Sequence, residues 1–327
     1  MIRGTAVAAG LVADRIMGEP PDAVHPVARF GQAMVSVERV LYRDDRRAGI
    51  AYWVVGVGGA AAVGFGMQRV LGRHGAVAVA TTAVVAGRML GREAAAIGDL
   101  LDADDLEGAR RRLPALVGRS PSDLSEAEIT RAVVESVAEN SIDAVVAPVL
   151  WALVAGAPGA CAYRAMNTLD AMVGHRSPRY AQFGWASARL DDFANWVPAR
   201  IGALCVAAIR PGRAVAVART VRRDAPLHPS PNGGVIESAF AASLGIRLGG
   251  SNQYGDVLEH RGVLGDGREA VGTDIAGAVR LLDRLTLMIG IVALIAGPIA
   301  GRRVGTIARR VSRRPWRGRN TARTGPV

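Results

Sequence analysis

The 327-residue chain contains no lysine, so all forty of its basic side chains are arginines. That absence excludes a Walker-type phosphate loop, whose lysine reaches the phosphates. It also excludes a pyridoxal-phosphate enzyme, whose lysine forms the Schiff base. Cysteine is nearly absent: Cys161 and Cys205 both fall in apolar stretches, and nothing in their placement implies a disulfide or a metal. Aromatic residues make up 5% of the chain and are not interleaved with the arginines, so the net charge of +11 does not describe a nucleic-acid-binding face. No HExxH, GxSxG or triad spacing occurs.

What is present is apolar and small. Half the residues are hydrophobic, Ala, Gly and Val dominate, and the charges collect between apolar blocks. This is the profile of an all-α, polytopic membrane protein with helical wetted loops. The amino end reads as a retained helix stopped by Pro20 and Pro21, followed by an amphipathic helix to about Leu41. Ile50–Met67 is an uncharged run of eighteen, and His74–Gly87 a shorter one of fourteen. Arg88–Leu124 reads as two wetted helices split near Asp102–Asp105, and Ser125 and Glu128 form a capping pattern for the next helix. Ala144–Tyr163 is long enough to span, and Pro148, Gly156 and Pro158 make it kinked or re-entrant. Phe193–Ile209 is broken by Pro198 and Arg200, Arg210–Arg284 is wetted, and Leu285–Gly301 is a final span. About four or five membrane segments in one membrane-embedded domain are expected. Residues 302–327 read as a disordered tail, and its nine arginines and no acids place it in the cytoplasm. With Arg88–Asp143 and the tail on one side, three candidate crossings lie where an even number is needed, so the Ala144 or the Phe193 segment is re-entrant or surface-lying.

Two polar clusters interrupt this apolar background. Arg131, Glu135, Glu139 and Asp143 recur at steps of four, which in a helix lines them along one drifting stripe beside membrane-grade sequence. With Asn140, the carboxylates Glu135, Glu139 and Asp143 could hold Mg²⁺ while a nucleotide supplies the remaining oxygens. The second cluster begins at Arg164, Asn167 and Asp170. It continues through Arg176, Arg179 and Arg189, whose planar forks suit phosphate or carboxylate, to Asp191 and Asp192. His25 and His228 each precede a proline at a loop start, which predicts a similar local geometry.

These blocks carry a resemblance. Asp14-Arg-x-x-Gly18-Glu-Pro, His25-Pro-Val, the Glu135–Asp143 stripe, Tyr163-Arg-Ala-x-Asn167-Thr-Leu-Asp170, Arg176-Ser-Pro-Arg179, Arg189-Leu-Asp191-Asp192, Asn195-Trp-x-Pro-Ala-Arg200 and His228-Pro-Ser-Pro-Asn232-Gly-Gly resemble the adenosylcobinamide-phosphate synthase family of cobalamin biosynthesis, the CobD/CbiB type. They extend from residue 14 to about residue 250. Glu19 stands where the family pattern has Asp, and the arginine-rich tail matches no family motif.

The resemblance implies an inner-membrane enzyme that joins adenosylcobyric acid to aminopropanol or its phosphate through an amide. ATP and Mg²⁺ serve as co-substrate, no prosthetic group is bound, and nucleic acid has no part. Other late-pathway membrane enzymes are possible neighbours. Fitted to that chemistry, Glu135, Glu139 and Asp143 hold Mg²⁺ or accept the amine proton, with Asp191 or His228 as alternative bases. Arg164, Arg176, Arg179 and Arg189 clamp phosphate. Asn140, Asn167 and Asn232 read the corrin carboxamide rim, and His25, Asp170 and Asp192 complete the substrate site. The rivals are a membrane corrinoid carrier without turnover and an Asp-motif membrane prenyltransferase, whose NDxxD-like repeat is missing.

Overall fold

The computed structural model describes residues 3–20, 23–117, 124–175, 177–254 and 257–312. Side chains are described outside 251–261 and up to residue 296. Eleven α-helices form the framework: α1 (Arg3–Met17), α2 (Pro26–Leu41), α3 (Arg46–Val84), α4 (Gly87–Asp102), α5 (Leu106–Arg112), α6 (Glu126–Ser141), α7 (Ala147–Val173), α8 (Trp185–Ile209), α9 (Ala214–Asp224), α10 (Gly233–Leu244) and α11 (Thr273–Ser312). The boundaries follow local chemistry. Ser125 and Glu128 close a reciprocal capping box on α6, and Pro26 starts α2 behind the His25 cap. Asp105 caps α5 after the turn at Ala103–Asp104.

A two-stranded antiparallel hairpin, β1 (Leu248–Tyr254) with β2 (Val257–Leu264), sits inside the stretch expected to be helical loop. Its Gly- and Ser-rich first strand has weak strand propensity and forms by pairing with the second. α11 runs on to Ser312, eleven residues into the stretch expected as a disordered tail. Residues 313–327 lie outside the described set.

Among the described residues, Arg46–Asp102 and Glu126–Val173 are helical stretches long and apolar enough to cross a membrane. α8 and the segment after it make a third if that pair, bent by 109°, is one span. This is fewer than the four or five segments read from apolar runs, because Ile50–Met67 and His74–Gly87 fall on one helical stretch. The last run, Leu285–Gly301, lies on α11, and its side chains from 297 onward are outside the description.

α6 and α7 form the central post, joined through a π-helical turn at Ile142–Val146. The apolar window of this stretch is 72% buried within the protein, against 22% for the α3–α4 stretch, so α3 is peripheral. Two irregularities in the post are satisfied from outside. The Ala144 carbonyl in the π-turn accepts the Ala86 N–H, at 3.0 Å. At Gly156 the backbone turns left-handed, φ 72°, just before Pro158. The helix breaks there, and the guanidinium of Arg3 donates to the Leu153 and Val154 carbonyls at 2.8 Å each. A smaller apolar cluster of Met34, Tyr52, Leu169 and Phe183 joins α2 and α3 to the lower half of α7.

Candidate active site

The carboxylate stripe does not remain a stripe. A step of four residues advances an α-helix by about 40° beyond a full turn, and the π-turn after Ser141 adds further rotation. Each carboxylate therefore meets a different neighbour. Glu135 turns to the hairpin, where its Oε1 accepts the Gly249 N–H at 2.8 Å, while Arg131 donates to the Gly249 carbonyl. Glu139 lies beside Gly233 and acts electrostatically on His228. Asp143 turns toward α7 and α8, where its Oδ1 lies 2.9 Å from the Tyr163 hydroxyl and accepts from Asn195 Nδ2 at 3.0 Å. The Glu135, Glu139 and Asp143 metal set is not assembled: among the described residues no three His, Cys, Asp or Glu side chains form a group that could hold a metal.

A single cavity of about 1110 Å³ collects much of the polar chemistry. It is walled by α6, the π-turn, α7, α8 and the 225–237 segment. Glu135, Glu139, Asn140, Asp143, Asp170, Arg189, Asp191, Asp192, His228 and Asn232 all line it. Asp143, Asp170, Asp191 and Asp192 give it an acidic floor. Asn195 braces that floor, donating from Nδ2 to both Asp143 and Asp191 at 3.0 Å. Tyr163 has one hydroxyl proton and two acceptors, Asp143 Oδ1 and Asn195 Oδ1 at 2.8 Å. Asp191 Oδ1 is buried and has no hydrogen-bond partner among the described residues. Arg189 is exposed at the rim.

The opposite wall is the His228–Asn232 loop. Its closeness to the next helix requires glycine at 234, where a Cβ would lie 2.4 Å from the Ala225 carbonyl oxygen and 2.6 Å from His228 Cβ. Asn232 ties the loop to α8, donating to the Asp192 carbonyl at 2.7 Å and accepting from Arg200 at 3.1 Å. Asn140 is held in a similar way, donating to the Ser136 carbonyl and hydroxyl on its own helix. Both amides act as braces.

His228 and His25 share the expected local geometry. In each, Nδ1 accepts the N–H two residues on, Ser230 for His228 and Val27 for His25. In each, Nε2 faces a glutamate: Glu237 at 3.3 Å and Glu19 at 3.2 Å. Only His228 lines the cavity; His25 caps α2. The His228 and Glu237 side chains are each 2% exposed. Burial works to lower the His228 pKa, but the hydrogen bond and charge of Glu237 and the charge of Glu139 outweigh it, leaving the imidazole above its ordinary value.

The remaining expected residues lie elsewhere. Arg164 and Asn167 sit one turn apart on α7 and back the Asp143 network from outside the cavity lining. Arg179 pairs with Glu38 at 3.1 Å and stacks over Tyr42, clamping α2. Arg176 lies outside the described residues. Sequence reasoning places Asn195 and Arg200 in a family block without giving either a role, and leaves out Glu237. Asn195 stands four residues after Asp191, one helical turn on, and Glu237 is the lone carboxylate of an apolar helix. Both signals were available.

The model of the family described as CobD/Cbib protein matches residues 7–282. The chain is 47% identical over 285 residues to "Cobalamin biosynthesis protein CobD" of Mycobacterium tuberculosis, covering 85% of this chain and 91% of that one. It is 38% identical over 303 residues to the protein of the same name from Pelobacter propionicus, covering 89% and 94%. With the Rhizobium meliloti protein, also of that name, identity is 40% over 291 residues, covering 82% and 89%. No solved structure matches.

Proposed function

This chain belongs to the CobD/Cbib protein family, and from that premise we propose that it is a membrane amide ligase of cobalamin biosynthesis. It joins the free carboxylate of adenosylcobyric acid to (R)-1-amino-2-propanol or its phosphate at the expense of ATP. The observation that carries this reading is the convergence of four aspartates, two arginines and a glutamate-backed histidine on one cavity of about 1110 Å³. That volume is just above the range of small-molecule sites, roughly 300–1,000 Å³, and so suits a ligand as large as a corrinoid.

Carboxylate and ammonium do not condense unaided, so the carboxylate is first phosphorylated and the amine then displaces phosphate. Arg189 and Arg200 stabilise charge on the transferring phosphoryl group. His228 takes the proton from the ammonium at Nδ1, which must first release the Ser230 N–H, while Glu237 holds Nε2 and Glu139 adds its charge. The acidic floor attracts the ammonium group and lowers its freedom of approach.

The residues fit a nucleotide-borne Mg²⁺ at a different place from the stripe. Mg²⁺ is commonly met by one or two carboxylates, with phosphate and water completing its shell. Asp191, with a buried oxygen lacking a partner, and its neighbour Asp192 on the same wall would hold it. When bound, it neutralises phosphate charge. The enzyme works in the inner membrane with its basic carboxyl end in the cytoplasm.

Purified protein in detergent, supplied with adenosylcobyric acid, Mg-ATP and either amine, should yield the amide by mass spectrometry. His228→Gln and Asp191→Asn should each lower turnover by about 10²-fold or more. Glu135→Gln, which touches the hairpin, should retain most of it. Corrinoid binding without turnover by the parent, with both amines, would sink the ligase and leave a carrier.

A further inference from the structure

At Ile209 the chain reaches the end of an apolar helix and turns by 109° into α9. Before the turn, α8 shows an outward apolar face. Phe193, Val197 and Leu204, spaced at four and seven residues, are 77%, 53% and 70% exposed. A face of that kind on a long apolar helix suits acyl chains. After the turn, α9 buries Val217, Thr220 and Asp224 on its inner side and packs against α10. Its outer side presents Val215, Ala218, Arg219 and Arg222, and Arg210 stands at the elbow.

The charges are unevenly served. Arg223 takes the acids within reach, pairing with Asp224 and with Asp266 at 3.0 Å. Arg210, Arg219 and Arg222 make no ion pair among the described residues. Three guanidinium groups with no ion pair among the described residues thus share an exposed flank with Val215, on a segment bent by 109° from a lipid-suited helix. A helix lying in a bilayer interface has this composition and this angle.

We propose that α9 is an interfacial helix that docks on acidic phospholipid headgroups. The inference rests on the membrane reading of α8. Val215 and Ala218 lie at the boundary of headgroup and acyl chain, and Arg210, Arg219 and Arg222 bind headgroup phosphates. Because α9 runs directly into Ala225 and Pro226, which line the cavity, the docked helix holds that wall beside the bilayer surface.

The test uses the full-length protein with Cys161 and Cys205 replaced by alanine. It is placed in nanodiscs of phosphatidylcholine with and without phosphatidylglycerol. A fluorophore at Ala218→Cys reports α9, and one at Leu204→Cys reports α8. The α9 label should be quenched by headgroup-nitroxide lipid, more strongly when phosphatidylglycerol is present. Arg219→Gln and Arg222→Gln should each weaken the phosphatidylglycerol preference by about fivefold, the factor equivalent to ~1 kcal/mol per basic residue. An α9 label quenched only by aqueous reagents in both lipids, beside an α8 label quenched by acyl-chain nitroxide, would overturn the docking and spare the membrane reading. An α8 label quenched only from water would overturn both.

Discussion

His228 is subject to opposing effects, and their balance can be measured. Desolvation favours the neutral ring, while Glu237 and Glu139 favour the cation and prevail. A base must be neutral to accept a proton, so the acid limb of the parent's pH–rate profile should lie above the ordinary histidine value of about 6.5. Glu237→Gln removes the main raising effect and should move that limb to lower pH, with KM for the corrinoid little changed. The linkage to stability has its own sign. The pair's contribution is complete below about 6.5 and is lost as pH rises through the raised folded value. Asp14 has a linkage of the same sign from a different cause. It is 3% exposed, with one carboxyl oxygen lacking a partner, and burial pushes its pKa up to about 6. The folded chain holds this proton more tightly than the unfolded one, so stability falls as pH rises from roughly 4 to 6. Thermal unfolding in detergent over that window should decline less steeply in Asp14→Asn than in the parent. Residue types were legible in the sequence, as the Asp, Arg and His blocks now around the cavity show. Pairings were less so: nothing in the chain order says that His228 meets Glu237 or that Asn195 bridges two aspartates across helices.

At the level of elements, the break in α7 is the feature most open to test. Gly156 holds a left-handed backbone that a side chain resists, and a Cβ there would sit 3.0 Å from Gln68 Nε2. Gly156→Ala should cost about 1–2 kcal/mol in detergent unfolding, with a larger loss if Arg3 also releases the Leu153 and Val154 carbonyls. The kink itself was readable from Gly156 and Pro158, and the start of α6 from its capping box. The hairpin was not readable, because a strand written Leu-Gly-Gly-Ser-Asn-Gln-Tyr carries no alternation and takes its form from its partner and from the Glu135 and Arg131 side chains. The carboxylate stripe was read with the right spacing and the wrong consequence. Four-residue steps drift, and a π-turn, which no local pattern announces, turned Asp143 away from Glu139. Counting charge asks for one re-entrant or surface-lying segment at Ala144 or Phe193, and a 109° bend lies just beyond the end of the Phe193–Ile209 stretch.

Across the whole molecule, hydrophobicity is used in two ways. The apolar window of the α3–α4 stretch faces largely outward, and that of the α6–α7 stretch is consumed by the interior. The cavity is therefore bounded by unequal walls. Val133, Val134, Val137, Ala138, Val145, Val146 and Val149 on the post are fully buried, whereas the 225–234 segment is short turns fastened by Asn232 and Arg200. Amide hydrogen exchange should register the difference, with the post exchanging only through large-scale opening and the loop through local opening. Adding Mg-ATP and corrinoid should slow exchange across 225–234 and leave 133–149 at its former protection. Asp143, one corner of the acidic floor, would then belong to the slowest-exchanging part of the protein and His228 to a faster one, so that closing the site would bring the proposed base to a wall already fixed.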